Sequence, residues 1–125
     1  MSYRELEIYK LAHKLVIDIH RMSLNHLPKF EMFEEGSQIR RSSKSVKSNI
    51  VEGYGRRRYL KEYVRFLIFA QASNDETLDH LETLYLTGSL ANDDVYSSLK
   101  DRVVLLGKKI NLFIQKLDSY ILKNQ

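Results

Sequence analysis

Apolar residues return every three or four positions along almost the whole chain, and the alternation of a β-strand appears nowhere. Four helical segments follow from this spacing. The first covers about residues 6–25, with Tyr9, Ala12, Leu15, Val16, Ile19 and Met22 on one face. Pro28 breaks it. The second covers about residues 34–52, with Ile39, Ser43, Val46 and Ile50 turned to the core. Gly53 just past that end reads as a left-handed cap, and Gly55 reinforces the stop. The third covers about residues 59–86 through Leu60, Tyr63, Val64, Leu67, Ala70, Leu78, Leu81 and Tyr85, and stops at Thr87-Gly88. Asn92 or Asp93 then caps a fourth, about residues 94–122. Its seam of Leu99, Val103, Leu106, Ile110, Phe113, Leu117 and Ile121 is nearly heptad. Gly107 inside that helix implies a close helix contact. Four helices with short connections stack most simply as an all-α, antiparallel up-down-up-down four-helix bundle, here one domain over residues 1–125.

Composition agrees with this and removes several chemistries. The chain has 125 residues and no Cys, which excludes disulfides, Cys-ligated zinc and thiol catalysis. One Pro and five Gly leave little material for a turn-rich β fold. No apolar run follows Met1-Ser2-Tyr3-Arg4-Glu5 as in a secretory leader, and the most apolar stretch, residues 64–72, contains Arg65 and Gln71. No membrane partner is expected, and a cytoplasmic location is the expectation.

The net charge of +4 hides an asymmetry. Between Gln38 and Arg65 stand nine basic residues, Arg40, Arg41, Lys44, Lys47, Arg56, Arg57, Arg58, Lys61 and Arg65, opposed only by Glu52 and Glu62. That window carries +7, while the rest of the chain carries −3. Arg40, Lys44 and Lys47 line one side of the second helix with Arg41 beside them. Gln38, Ser42, Ser45 and Asn49 form a stripe of small polar groups against which another backbone can come close. The nine basic residues suit phosphate neutralisation, and Tyr54 and Tyr59 can stack on bases. The same pattern also suits a solvated face or a self-interface, because Asp75, Asp79 and Glu82, with Glu76 beside them, form an acidic stripe.

Nothing in the sequence reads as catalytic. His13 and His20 lie two helical turns apart, and His26 stands alone. Glu76 and His80 are spaced as an ordinary i, i+4 salt bridge, and no His carries Glu three residues before it, as a diiron bundle site requires. No P-loop, G-x-S-x-G or H-E-x-x-H motif is present. A non-enzymatic protein without cofactor or metal is expected.

The run Gln38-Ile39-Arg40-Arg41-Ser42-Ser43-Lys44-Ser45-Val46, followed by Asn49-Ile50-Val51-Glu52-Gly53-Tyr54-Gly55-Arg56, resembles the signature of the 23S rRNA intervening-sequence proteins, also called the S23 ribosomal protein family. Glu62-Tyr63, Phe66-Leu67 and Ala70-Gln71-Ala72-Ser73-Asn74-Asp75-Glu76 continue the likeness. Ala72 and Thr77 depart from it, where the family often has Gly and Leu. The resemblance implies a four-helix bundle assembled as a homopentamer. It extends to the accessory protein of diversity-generating retroelements, which implies RNA or DNA and a reverse transcriptase or another protein as partners. Gln38, Ser45, Asn49, Glu52, Gly53 and Gly55 are the motif positions, with Glu52 free to pair with Arg40, Arg41 or Arg56. Two functions stay open from the sequence: an oligomeric nucleic-acid-associated protein, or a protein-interaction scaffold built on the same charges.

Overall fold

The computed structural model describes residues 1–125. Four helices, α1 (Glu7–Asn25), α2 (Glu35–Gly55), α3 (Leu60–Leu86) and α4 (Asp93–Lys123), are preceded by a 3₁₀ turn at Tyr3–Glu5 and interrupted by another at Lys29–Phe33. Each helix packs on its two neighbours, α1 on α2 and α4, α3 on α2 and α4, and the diagonal pairs do not meet. This is the antiparallel four-helix bundle that the periodicity predicts. Side-chain ties fix its register: Glu7 to Lys109 at 3.1 Å, Asp18 to Arg102 at 2.8 Å, and His80 Nδ1 to Glu35 Oε2 at 2.8 Å. The Tyr54 hydroxyl donates to the Met1 carbonyl at 3.0 Å. The chain start, the α2–α3 corner and the end of α4 therefore share one end of the bundle. The Lys29–Phe33 turn and the α3–α4 loop share the other.

The core follows the expected faces. Ile8, Ala12, Leu15, Ile19 and Met22 of α1 meet Ile39, Val46 and Ile50 of α2. Tyr63, Leu67, Ala70, Leu81 and Leu84 of α3 and Leu99, Val103, Leu106 and Ile110 of α4 complete it. Farther along the α4 seam, Phe113 and Leu117 pack half-buried against this core, and Ile121 is half-buried as well.

One sequence expectation fails, at Gly53. Gly53 is not a left-handed cap: no glycine except Gly88 has a positive φ, and α2 runs on to Gly55 before the chain turns at Arg56. Gly53 is buried inside the helix. A Cβ there would lie 3.2 Å from Phe66 Cβ, 3.2 Å from Tyr63 Cδ1 and 3.3 Å from the Tyr63 carbonyl oxygen. It is glycine so that α3 can come close. The backbone that comes close to the stripe of Ser42, Ser45 and Asn49 is that of the same neighbour, α3. Thr77 Oγ1 donates to Ser42 Oγ at 2.8 Å, Ser45 and Ser73 hydroxyls pair at 2.8 Å, and Asn49 Nδ2 donates to the Ser45 carbonyl at 2.9 Å. Hydroxyls this small satisfy each other without holding the backbones apart, and α2 and α3 form the most extensive helix pair. Gln38, the fourth member of the stripe, points to solvent.

Other expectations hold. Gly88, with φ +83°, supplies the left-handed turn after α3. Asn92 caps α4 by accepting from the Val95 N–H at 3.0 Å. Gly107 does mark a close contact: Asn74 Nδ2 would lie 3.1 Å from a Cβ there, and instead donates to the Val103 carbonyl at 2.9 Å.

Candidate nucleic-acid interface

The α2–α3 connection has only four residues, Arg56 to Tyr59, so three consecutive arginines must project from the end of the bundle. All three are exposed, and each is braced. Arg56 Nε lies 3.1 Å from Glu52 Oε2, and its guanidinium sits 4.8 Å from the Phe66 ring centroid. Arg57 stacks 4.0 Å over Tyr54, and its Nη1 donates to the Tyr54 carbonyl at 3.0 Å. Arg58 lies 5.8 Å from the ring centroid of Tyr59, a residue 64% exposed. One turn into α3, Arg65 pairs with Glu62 at 3.4 Å and lies 5.3 Å from the Phe69 ring, while Lys61 faces solvent. Guanidiniums held on rings keep free edges for phosphate oxygens and lose less entropy on binding.

The α2 half of the basic window behaves differently. Arg40 is turned inward, its Nη1 donating to Ser23 Oγ at 3.0 Å and its Nη2 to the Met32 carbonyl at 2.6 Å. Lys47 Nζ lies 3.1 Å from His13 Nδ1 on α1. Arg41 and Lys44 remain, on a solvent stripe with Gln38, Ser48 and Glu52. The motif residues therefore have structural partners. Glu52 takes Arg56 rather than Arg40 or Arg41, Ser45 and Asn49 bond within the α2–α3 seam, and Gly55 has open space where its Cβ would be.

Behind the arginines, the Tyr63 ring packs 5.6 Å from Phe113 and 6.4 Å from Tyr54, and its hydroxyl has no protein partner. Burial, with Tyr54 adding to it, pushes the Tyr63 phenol up to about 12. At the far end, Tyr85 donates to Asp93 Oδ1 at 2.9 Å, and that bond raises its pKa as well.

Topology adds what the linear window conceals. The bundle divides across its middle at the level of Ala12, Val46, Asn74 and Leu106. The half with both termini comprises residues 1–15, 45–73 and 106–125, and holds 13 basic and 5 acidic residues, +8. The other half, residues 16–44 and 74–105, holds 7 basic and 11 acidic, −4. Lys108, Lys109, Lys116 and Lys123 of α4 thus fall in the same half as the arginine corner, although they lie outside the window the sequence singles out and Lys109 is paired with Glu7. The acidic stripe of Asp75, Glu76, Asp79 and Glu82 lies in the opposite half. His80 pairs chiefly with Glu35, and its distance to Glu76 is 3.8 Å. No three His, Asp or Glu side chains gather as metal ligands, and no helix is long and apolar enough to cross a membrane.

No curated protein matches the chain. Among solved structures, a Bacteroides thetaiotaomicron protein of unknown function from the S23 ribosomal protein family has the same fold. The TM-score is 0.77 at 20% identity, over 86% of this chain and 97% of that one. The family model for 23S rRNA-intervening sequence protein matches residues 4–112, and the chain belongs to that family.

Proposed function

We propose that the protein is a non-enzymatic, nucleic-acid-associated bundle that binds phosphates at the end formed by the α2–α3 corner. The separation of charge, +8 in one half against −4 in the other, carries this reading. A polyanion is drawn to one end and repelled from the other, and the arginine–aromatic pairs there supply rigid cations. The family's name links it to 23S rRNA intervening sequences, which is in keeping with a nucleic-acid role. The contacts come from side chains at a convex corner without a groove-reading helix, so affinity depends on phosphates and little on sequence.

The test is an anisotropy titration of a labelled RNA oligonucleotide at low and physiological salt. Wild type should bind and weaken steeply with salt, and Arg57→Glu with Arg58→Glu and Lys61→Glu should stay folded and bind far less. Absence of binding at low salt overturns the reading.

A second reading has its own observation. Asp75 and Asp79 are exposed and form no ion pair within the chain. They can take the basic residues of another copy, so a homo-oligomer is proposed with them at the contact. Light scattering that returns the monomer mass at micromolar concentration argues against it.

A further inference from the structure

The outer face of α3 carries a second seam that nothing in the bundle covers. Lys61, Arg65, Ile68, Ala72, Asp75 and Asp79 follow one another at spacings of 4, 3, 4, 3 and 4, and all six are exposed. These are the a and d positions of a coiled coil, turned away from the core that Tyr63, Leu67, Ala70 and Leu81 reach from the same helix. The chemistry is ordered along the seam. Two cations stand at its start, two apolar residues in its middle, where Ile68 is 50% exposed, and two carboxylates at its end. Lys61, Asp75 and Asp79 form no ion pair within the chain, and Arg65 has only Glu62 at 3.4 Å, an exposed pair one turn away.

We infer that this seam is the contact of a two-fold homodimer, in which a second copy lays its α3 antiparallel on the first. The inference rests on the homo-oligomer reading and names the residues that meet the two aspartates. With Ala70 level across the pair, Arg65 faces Asp75 of the second copy, Lys61 faces Asp79, and Ile68 packs on Ala72. The two-fold axis repeats every contact, so ion pairs flank the apolar centre on both sides. Each a position then meets a d position of the other helix with no residue left over. A parallel pair would set Lys61 on Lys61 and Asp75 on Asp75, so the order of charge selects the antiparallel one. It also selects the occupant. A nucleic acid or an acidic protein matches the first half of the seam and is repelled by the second, whereas this helix run backwards matches both. The seam spans about 27 Å of helix, a small and largely ionic contact, so the pair should dissociate in the micromolar range and weaken with salt. Arg56, Arg57 and Arg58 precede the seam, so each end of the dimer keeps an arginine corner.

Sedimentation equilibrium at tens of micromolar protein tests this. Wild type should show twice the chain mass at low salt and fall towards the chain mass at high salt. Lys61→Glu with Arg65→Glu makes the seam wholly acidic at its charged positions, Asp75→Lys with Asp79→Lys makes it wholly basic, and each variant alone should be monomeric. Mixed in equal amounts, the two should pair, and one chain carrying all four substitutions should pair with itself again. The protein has no Cys, so Lys61→Cys mixed with Asp79→Cys should cross-link on oxidation, while neither should cross-link alone. A thermal melt checks that these exposed substitutions leave each variant folded. If wild type is monomeric at low salt, the inference and the homo-oligomer reading fall together. If it assembles and the two charge variants assemble equally, the inference falls and the homo-oligomer reading stands. The mass of a five-membered ring has the same consequence, because neighbours in such a ring meet through unlike faces. If both variants are monomeric and their mixture fails to pair, the cations and the aspartates do not face each other, and the inference is overturned.

Discussion

The two ends of the bundle carry the same kinds of side chain and use them in different ways. At the end closed by the Lys29–Phe33 turn and the α3–α4 loop, charges tie segments together. Glu31 is 5% exposed, accepts from Ser89 Oγ at 2.6 Å and from the Glu35 N–H at 3.1 Å, and so joins two loops to the start of α2. Arg40 ties the turn to α1, and Tyr85 ties α3 to Asp93. At the opposite end, Arg56, Arg57 and Arg58 rest on rings and on nearby residues of α2 and α3, and reach nothing across the bundle. A charge that finds a distant, buried partner becomes structure, while one that finds only an exposed or local partner stays available to a ligand. The first end should therefore be sensitive in stability and the second in binding.

The largest effect is expected at Glu31. Glu31→Ala removes two hydrogen bonds to a carboxylate and leaves their donors without that partner, a loss of about 3 kcal/mol that a thermal melt should report as a midpoint lower by roughly 10 °C. An unchanged midpoint breaks the division between the ends.

The seam behind the arginines comes next. Gly53→Val forces a branched side chain against Phe66 and Tyr63 and should cost about 2 kcal/mol in urea unfolding. Gly55→Ala, with open space and a helical backbone, should gain about 0.5 kcal/mol. Equal effects at the two positions would return Gly53 to the role of a terminal cap.

Tyr63 gives a pH test of similar size. Its folded pKa of about 12 lies above the ordinary 10, so the neutral phenol stabilises the fold fully below pH 10. That contribution, of order 2–3 kcal/mol, is lost as pH rises from 10 through 12. Tyr63→Phe should lose this part of the alkaline sensitivity and be nearly neutral at pH 7, because the hydroxyl has no protein partner. Identical alkaline melts of the two proteins contradict this.

The smallest stability effect belongs to the corner itself. Arg57→Glu and Arg58→Glu should each change unfolding free energy by no more than about 0.5 kcal/mol, as exposed substitutions usually do. A larger loss would make these arginines structural, like Arg40.

Much of the fold was legible in the spacing of Ile39, Val46, Ile50, Leu99, Val103 and Leu106, because burial on one helical face needs only local periodicity. What was not legible depended on who faces whom. A glycine near a helix end looks the same whether it turns the chain or admits a neighbour, and only α3 packed on Gly53 decides. Thr77 reads as a departure from the resembled family, yet its hydroxyl pairs with Ser42 in the seam. Glu31 sits in an apparent loop, and nothing local marks it for burial. Arg40 and Lys47 repeat with Lys44 on the helix but turn to Ser23 and His13, partners distant in sequence. Lys116 and Lys123 lie outside the basic window, and only the bundle topology puts them in the same half as the arginines.

The most direct measurement is the salt dependence of RNA binding for two charge-reversal variants at opposite halves of the basic window. One is Arg57→Glu with Arg58→Glu and Lys61→Glu at the corner. The other is Arg41→Glu with Lys44→Glu on the solvent stripe of α2. If the end of the bundle carries the affinity, the corner variant should lower the log–log salt slope by about 2–3, and the α2 variant should lower it by less than about 1. Equal losses, or a larger loss from the α2 variant, would contradict the account.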